Sequence, residues 1–317
     1  MRGAYSLDGK RVWVAGHRGM VGSALVRRLA SENCTILKVA RSELDLRRQA
    51  DVEAWMRQEK PQAVFLAAAI VGGIVANDSH PAAFLTDNLQ IQTNIIATAH
   101  EIGVEKLLFL GSTCVYPRLA PQPMNEDALL TGPLETTNQW YAVAKIAGIK
   151  QCQAYRREYG RDFISCMPTN LYGPEDNFDL TSSHVLPALI AKAHAAKTGG
   201  KPSLALWGSG TPRREFLHVD DLADACVFLM KTYSDEQLVN IGVGADVTIR
   251  ELAELVASVV GFSGSFTFDP SRPDGTPRKL VDVSRITALG WKAKTGLREG
   301  IAATYEWYRK NIVPAAE

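Results

Sequence analysis

Long apolar runs are missing from this sequence: none reaches the length needed to span a bilayer, and residues 1–10 lack the apolar core of a signal peptide, so a soluble cytoplasmic protein is expected. An excess of one charge is missing too. Lys and Arg number 35 against 34 Asp and Glu, which leaves no bulk field for nucleic acid or an anionic membrane, so neither is expected as a partner and any anion site must be local. Cysteine is scarce: five residues, an odd number without a CxxC pair, disfavour a disulfide framework and a structural zinc site, and no metal is expected. Cys34, Cys152, Cys166 and Cys226 sit among apolar neighbours and read as small hydrophobes. Cys114 stands apart from them, in a different setting. Internal repeats and low-complexity segments are also absent.

What the chain does have begins with a short apolar run, Val12-Trp13-Val14-Ala15, leading into Gly16-His17-Arg18-Gly19-Met20-Val21-Gly22. From there Val21, Ala24, Leu25, Val26 and Leu29 recur at helical spacing, so the glycines fall on a strand-to-helix junction, the context that marks a dinucleotide loop. Gly16 permits the tight turn, Gly19 lets backbone approach a pyrophosphate, and Gly22 permits close helix packing, with the diphosphate at the positive helix N-terminus. The spacing is GxxGxxG rather than GxGxxG. A second strand, Thr35-Ile36-Leu37-Lys38-Val39, ends near Arg41, where a carboxylate would select NAD and an arginine, helped by Arg18, matches the 2′-phosphate of NADP.

Strand and helix then alternate. An amphipathic segment over 48–60 stops at Pro61, Ala63-Val64-Phe65-Leu66-Ala67-Ala68-Ala69 is a buried-strand run, 84–103 is helical, and 106–111 is again a buried strand. This order predicts an α/β fold with a doubly wound parallel sheet, whose ligands lie beyond the carboxyl ends of the strands. Ser112, Thr113 and Cys114 follow directly on such an end. After a proline-rich loop a helix begins near Gln139, with Tyr141 and Lys145 one turn apart on one face. A strand over 162–167 and the turn-rich run from Pro168 to Pro174 follow.

Beyond that run the elements shorten, which points to a second lobe. It holds His184 before an apolar helix, the Gly208-Ser209-Gly210 turn after Trp207, then Arg213, Arg214 and Glu215. Asp220 reads as the cap of a helix through Met230, 239–241 as a strand returning to the main sheet, and Thr248 with Glu251 as a capping box for a helix ending near Gly261. The expected division is a cofactor-binding domain over 1–173, to which about 215–245 returns, and a smaller α/β substrate lobe over 174–317.

Taken in order, the runs over 15–22, 107–112, 116–117, 141–150, 167–174, 214–221 and 273–279 resemble the GDP-L-fucose synthase family of the extended short-chain dehydrogenase/reductase superfamily, over nearly the whole length. The resemblance implies an NADPH-dependent 3,5-epimerase and 4-reductase of GDP-4-keto-6-deoxy-D-mannose. For reduction it implies that Tyr141 gives a proton to the C4 oxygen, Lys145 lowers the tyrosine pKa and binds ribose, and Ser112 holds the ketone. For epimerisation it implies Cys114 as base and His184 as acid. It places Asp45 and Leu46 against adenine, and adds Leu110, Gly111, Pro168, Asn170, Leu171 and His184 to the cofactor contacts made by 16–22 and Arg41. Asn170, Lys192, Trp207, Arg214, Asp274 and Lys279 are implied for the GDP-sugar. A homodimer is implied as well, formed through the helix carrying Tyr141 and Lys145 and the one before it; Ile91, Ile95, Ile96, Ala99, Ala147 and Cys152 give those helices an ample apolar surface.

Three positions depart from the family pattern: Ile70 stands for a lysine, Thr136 for a proline and Asp179 for a histidine. They keep open a related GDP-keto-sugar substrate of colitose or 6-deoxy-heptose type. Two further readings are a nucleotide-sugar 4-epimerase or dehydratase that recycles a bound cofactor, and a non-catalytic NADPH-binding sensor, which would have no need of Ser112, Tyr141 and Lys145 together.

Overall fold

From Arg11 onward the chain alternates strand and helix. β1 (Arg11–Ala15) runs through the glycine turn into α1 (Met20–Leu29), followed by β2 (Thr35–Leu37), α2 (Gln49–Glu59), β3 (Ala63–Leu66), the short α3 (Ile74–Ser79), α4 (Pro81–Glu101) and β4 (Lys106–Leu110). A long loop leads to α5 (Gln139–Tyr159), β5 (Asp162–Pro168), β6 (Asn170–Tyr172) and α6 (Val185–Thr198). Then come β7 (Ser203–Trp207), β8 (Arg213–Arg214), β9 (Phe216–His218), α7 (Val219–Thr232), β10 (Val239–Ile241), β11 (Val247–Thr248) and α8 (Ile249–Val260). β12 (Ser265–Asp269), β13 (Arg278–Lys279), α9 (Ser284–Ala288) and α10 (Leu297–Asn311) complete the order. This computed structural model describes residues 4–269, 271 and 274–313; residues 1–3 of the signal-peptide reading and Arg272 and Pro273 of the loop before β13 lie outside the described residues.

Six strands form one parallel sheet in the order β10-β5-β4-β3-β1-β2. Its two faces are both covered, which is why β3 and β4 are buried at every position and read as continuous apolar runs. Alternation along β1 divides the core: Val12 and Val14 pack with Ala24, Leu25 and Leu29 of α1 and with α7. Trp13 and Ala15 face the other way, toward Val52 and Met56 of α2 and Ile95, Ile96 and Ala99 of α4. The doubly wound parallel sheet expected from the strand–helix alternation is therefore present. Its direction reverses at β1, which has β2 on one side and β3 on the other, so the crevice for ligands opens beyond the carboxyl ends of β1 and β3.

A third core gathers α6, α8 and α10 with β7 and β12, which pair in parallel. β8 lies between β11 and β13, and β6 pairs with β9. No helix among the described residues is long and apolar enough to cross a membrane.

Two local expectations are corrected. β2 ends at Leu37 rather than Val39, because this edge strand has only β1 beside it and pairs with three of its residues. α7 begins at Val219, and its cap is His218, whose Nδ1 accepts from the Asp220 backbone N–H at 3.3 Å; the Asp220 carboxylate instead accepts from Arg27 at 2.6 Å. The capping box of Thr248 and Glu251 at the start of α8 is present with both its bonds.

Candidate active site

The glycine turn is dictated twice over at Gly16: its φ is +88°, and a Cβ there would lie 2.8 Å from the backbone of Ala68, just past β3. Gly22 seats α1 on the turn, since a Cβ would fall 2.0 Å from the Gly16 carbonyl oxygen. Gly19 differs. Its φ is −80° and the nearest atom to an added Cβ is 3.6 Å away, so the protein itself leaves the space over it open. No side chain caps α1 there, and the exposed helix N-terminus forms an anion cradle of the kind a dinucleotide diphosphate fits.

Arg18 and Arg41 are both exposed at this end of the sheet. Burial, with the nearby charges of Arg18 and Lys38, pushes the His17 imidazole below its ordinary pKa, so Lys38 adds a third cation that the sequence reading passed over as part of a strand. Asp45 is gripped by Arg47 at 2.7 and 3.0 Å, which holds its carboxyl down at about 2. Leu46 is partly buried against the core, and its carbonyl accepts from Asn94 at 2.9 Å.

At the end of β4, Leu110 is buried and Gly111 continues into Ser112, whose extended backbone starts a single 3₁₀ turn over Thr113–Val115. The Ser112 Oγ accepts from the Cys114 backbone N–H at 3.3 Å and lies beside the Tyr141 phenol. Burial first, then the Cys114 charge, raises the phenol well above its ordinary pKa, and the neighbouring Ser112 hydroxyl offsets part of this. One turn on, the Lys145 Nζ donates to the Leu110 carbonyl at 2.8 Å and lies 4.8 Å from the Phe109 ring centroid and 5.8 Å from that of Tyr141. Burial without a paired carboxylate brings its pKa down to about 8.

The Cys114 sulfur has two donors beside it, Asn138 Nδ2 at 3.3 Å and Lys279 Nζ at 3.9 Å. Lys279 arrives through parallel pairing of β13 with β8, which sets it directly beside Arg214. Burial lowers the Arg214 pKa, partly offset by Asp274 and Cys114. His184, the residue before α6, is exposed to solvent, yet the protein around it and the Lys279 ammonium both disfavour its charged form. Among the described residues no cluster of His, Cys, Asp and Glu could hold a metal ion.

Other expected contacts are already engaged within the fold. Asn170 donates to the Glu215 carbonyl at 2.8 Å, Leu171 packs on the core, and Pro168 is buried beside Ile241. Both Asp274 oxygens accept from Ser209, from its backbone N–H and its hydroxyl at 2.8 Å each, so this carboxylate closes the turn behind Trp207. Lys192 lies 5.3 Å over the half-exposed Trp207 ring. Glu215, to which the sequence assigns no role, is fully buried: it accepts from Val243 and Gly244 on one oxygen and from Val281 on the other, tying the loop after β10 to the chain after β13. Of the three departures, Ile70 has its backbone held on both sides by Asn88, and Asp179 organises the turn before His184 by accepting from Thr181 and Ser182. Thr136 is exposed.

Residues 12–242 match the model of the NAD dependent epimerase/dehydratase family. GDP-L-fucose synthase 1 of Arabidopsis thaliana is 61% identical over 303 residues, 95% of this chain and 94% of the relative. Among solved structures, a GDP-6-OMe-4-keto-L-xylo-heptose reductase from C. jejuni superposes with a TM-score of 0.91 at 37% identity, covering 97% of this chain and 99% of that one. A GDP-L-fucose synthetase from Naegleria fowleri bound to NADP gives 0.90 at 27% identity, with 98% of each chain covered. With the family model running from β1 to the end of β10 and the relatives spanning almost the full length, this chain belongs to the NAD dependent epimerase/dehydratase family.

Proposed function

We propose that this protein converts GDP-4-keto-6-deoxy-D-mannose to GDP-L-fucose with NADPH, inverting C3 and C5 before reducing C4. The observation that carries the reading is the meeting of two proton-handling sets: the Tyr141 phenol lies beside Ser112 and feels the charge of Cys114, whose sulfur is flanked in turn by Asn138 and Lys279. A reductase alone needs the first set, and the second gives the sugar an acid and a base on separate elements. The 61% identity to a GDP-L-fucose synthase supports the substrate, and the anion cradle at Gly19 with Arg18, Lys38 and Arg41 supports NADPH.

In epimerisation the C4 ketone acidifies the protons at C3 and C5. Cys114 removes each in turn, and His184 returns a proton to the opposite face. Arg214 and Lys279 take the diphosphate, which compensates the ammonium charge that opposes protonation of His184. Trp207, steadied by Lys192 and by the Asp274-held turn, offers a ring for the guanosine end. Ser112 donates to the C4 oxygen, and Tyr141 passes it a proton. The bound NADPH supplies the hydride for C4. Lys145, next to Tyr141 and poised near neutrality, stabilises the phenolate that remains.

The cofactor lobe is 1–173 with 215–245, a division supported by β10 pairing with β5, and 174–317 supplies the substrate lobe. A cytoplasmic homodimer completes the reading. Ile91, Ile95, Ile96, Ala99 and Cys152, expected to supply its surface, are instead buried in this chain's own core against the sheet, and it is exposed Trp140 and Val143, on neighbouring turns of α5, that support a second copy packing there. Incubation with NADPH and both the 6-deoxy and 3,6-dideoxy keto-sugars, followed by mass spectrometry and NMR, tests the substrate. GDP-L-fucose should form and the 6-deoxy sugar should be consumed faster; preference for the dideoxy sugar, or a product that keeps the D configuration, overturns the proposal.

A further inference from the structure

We propose that Asn138 is the positioning residue for Cys114, holding its sulfur for proton exchange at the sugar carbons and taking no part in hydride transfer. This rests on the assignment of Cys114 as the base. Asn138 immediately precedes α5, where an asparagine side chain ordinarily accepts a hydrogen bond from a backbone N–H of the first turn. It makes no such bond here. The amide instead donates to the Cys114 sulfur at 3.3 Å, across 24 residues of sequence. Its Oδ1 is buried and has no partner among the described residues, so the fold draws on neither end of the group for its own hydrogen bonding.

A side chain that leaves its helix end uncapped and keeps a buried acceptor open breaks two local rules at once, which is the pattern of a site shaped by function. Asn138 and Lys279 bracket the sulfur, and Arg214 on β8 and Tyr141 on α5 also feel its charge. Donors placed this way interact more favourably with a sulfur anion than with S–H, and they fix the direction of its remaining lone pairs. Among the described residues the Asn138 amide makes no hydrogen bond to Ser112, Tyr141 or Lys145, which gather separately at the end of β4.

The test uses Asn138→Ala and the nearly isosteric Asn138→Asp, which puts an oxygen where the donor was. Two readouts separate the chemistries: entry of solvent deuterium at C3 and C5 of GDP-4-keto-6-deoxy-D-mannose, and oxidation of GDP-L-fucose by NADP⁺, which reads hydride transfer alone. Exchange should fall by at least roughly tenfold in both variants while oxidation stays within about threefold, and iodoacetamide labelling of Cys114 should slow alongside exchange. Unchanged exchange overturns the proposal. An equal fall in both readouts also overturns it, because it would assign Asn138 to the start of α5 and hence to Tyr141. Cys114→Ser run in parallel distinguishes the two layers. If that variant exchanges normally, the base assignment fails and the proposal with it; if it does not exchange while both Asn138 variants do, only the positioning role fails.

Discussion

Replacing Lys145 by methionine should abolish turnover and yet make the unliganded protein more stable at pH 7. Lys145 is 3% exposed, its one hydrogen-bond partner among the described residues is the Leu110 carbonyl, and burial takes its pKa from 10.5 to about 8. At 1.36 kcal/mol per unit, that depression corresponds to ~3 kcal/mol of destabilisation while the ammonium is charged in both states. Methionine fills a similar volume without the charge but leaves the Leu110 carbonyl unpaired, at ~1–3 kcal/mol, so a net gain of up to ~2 kcal/mol is expected. The pH dependence is the sharper signature. Because the folded pKa is lowered, the penalty is complete below pH 8 and fades as pH rises toward 10.5, where the unfolded chain also loses its proton. Between pH 7 and 9.5 the wild-type protein should recover ~2 kcal/mol relative to the variant. Urea unfolding of both proteins across that range measures this, and taking their difference cancels buried tyrosines such as Tyr116 and Tyr172, whose raised pKa values act equally on both. A difference that stays flat from pH 7 to 9.5 would refute the account of Lys145 as an ammonium held against desolvation.

Four other outcomes are expected. Arg41→Ala should raise the KM for NADPH by roughly tenfold or more and leave that for NADH nearly unchanged, since only NADPH carries the 2′-phosphate; equal effects refute the assignment. Tyr141→Phe should stop NADPH oxidation while deuterium still enters C3 and C5, and Cys114→Ser should suppress that exchange and leave at most slow direct reduction to an unepimerised sugar, as followed by absorbance and NMR. Glu215→Gln should slow deuterium exchange more than oxidation of GDP-L-fucose by NADP⁺, because it loosens the tie between the strands that bring Arg214 and Lys279; an equal loss in both assays argues against this. Light scattering at micromolar concentration should give the mass of a dimer, and a monomer mass excludes the interface on α4 and α5.

The sheet was legible because its signals are local. Apolar runs at β1, β3 and β4, glycines at a strand end and helical spacing after them each lie within about ten residues, the span over which periodicity can be read. The same locality explains why Tyr141 and Lys145 could be paired in advance, being one turn apart. Contacts that depend on distant pairing had no such signal. Lys279 reaches Cys114 across 165 residues, and it does so only because two two-residue strands, β8 and β13, lie in parallel register. Competition for hydrogen bonds hid other features. Asn138 stands just before a helix, where an asparagine ordinarily caps, and nothing in the sequence shows that its amide goes to sulfur; Asp220 reads as a cap, but Arg27 takes its carboxylate and His218 takes its N–H. Asp274 likewise has a local partner that the sequence does not disclose, the Ser209 turn.

The two proposed chemistries differ in how much of the fold each needs. Ser112, Tyr141 and Lys145 come from β4 and α5, elements packed on one face of one sheet, and the Lys145 bond to Leu110 fixes the helix against the strand end. Their geometry therefore survives small shifts elsewhere. Cys114 comes from the same strand end, but the ammonium beside it, Lys279, comes from β13 outside the sheet, and the same ammonium acts on His184 at the start of α6. That arrangement exists only while the small β11-β8-β13 sheet stays docked against the loop after β4. Glu215 is the buried anchor of this docking, since its oxygens collect three backbone N–H groups from two separate segments and its carbonyl takes Asn170. A buried carboxylate pays for its desolvation only when such donors are all in place, so it favours one docking geometry over neighbouring ones. Proton exchange at C3 and C5 should accordingly be the step more sensitive to strain between the lobes, and hydride transfer the more robust one.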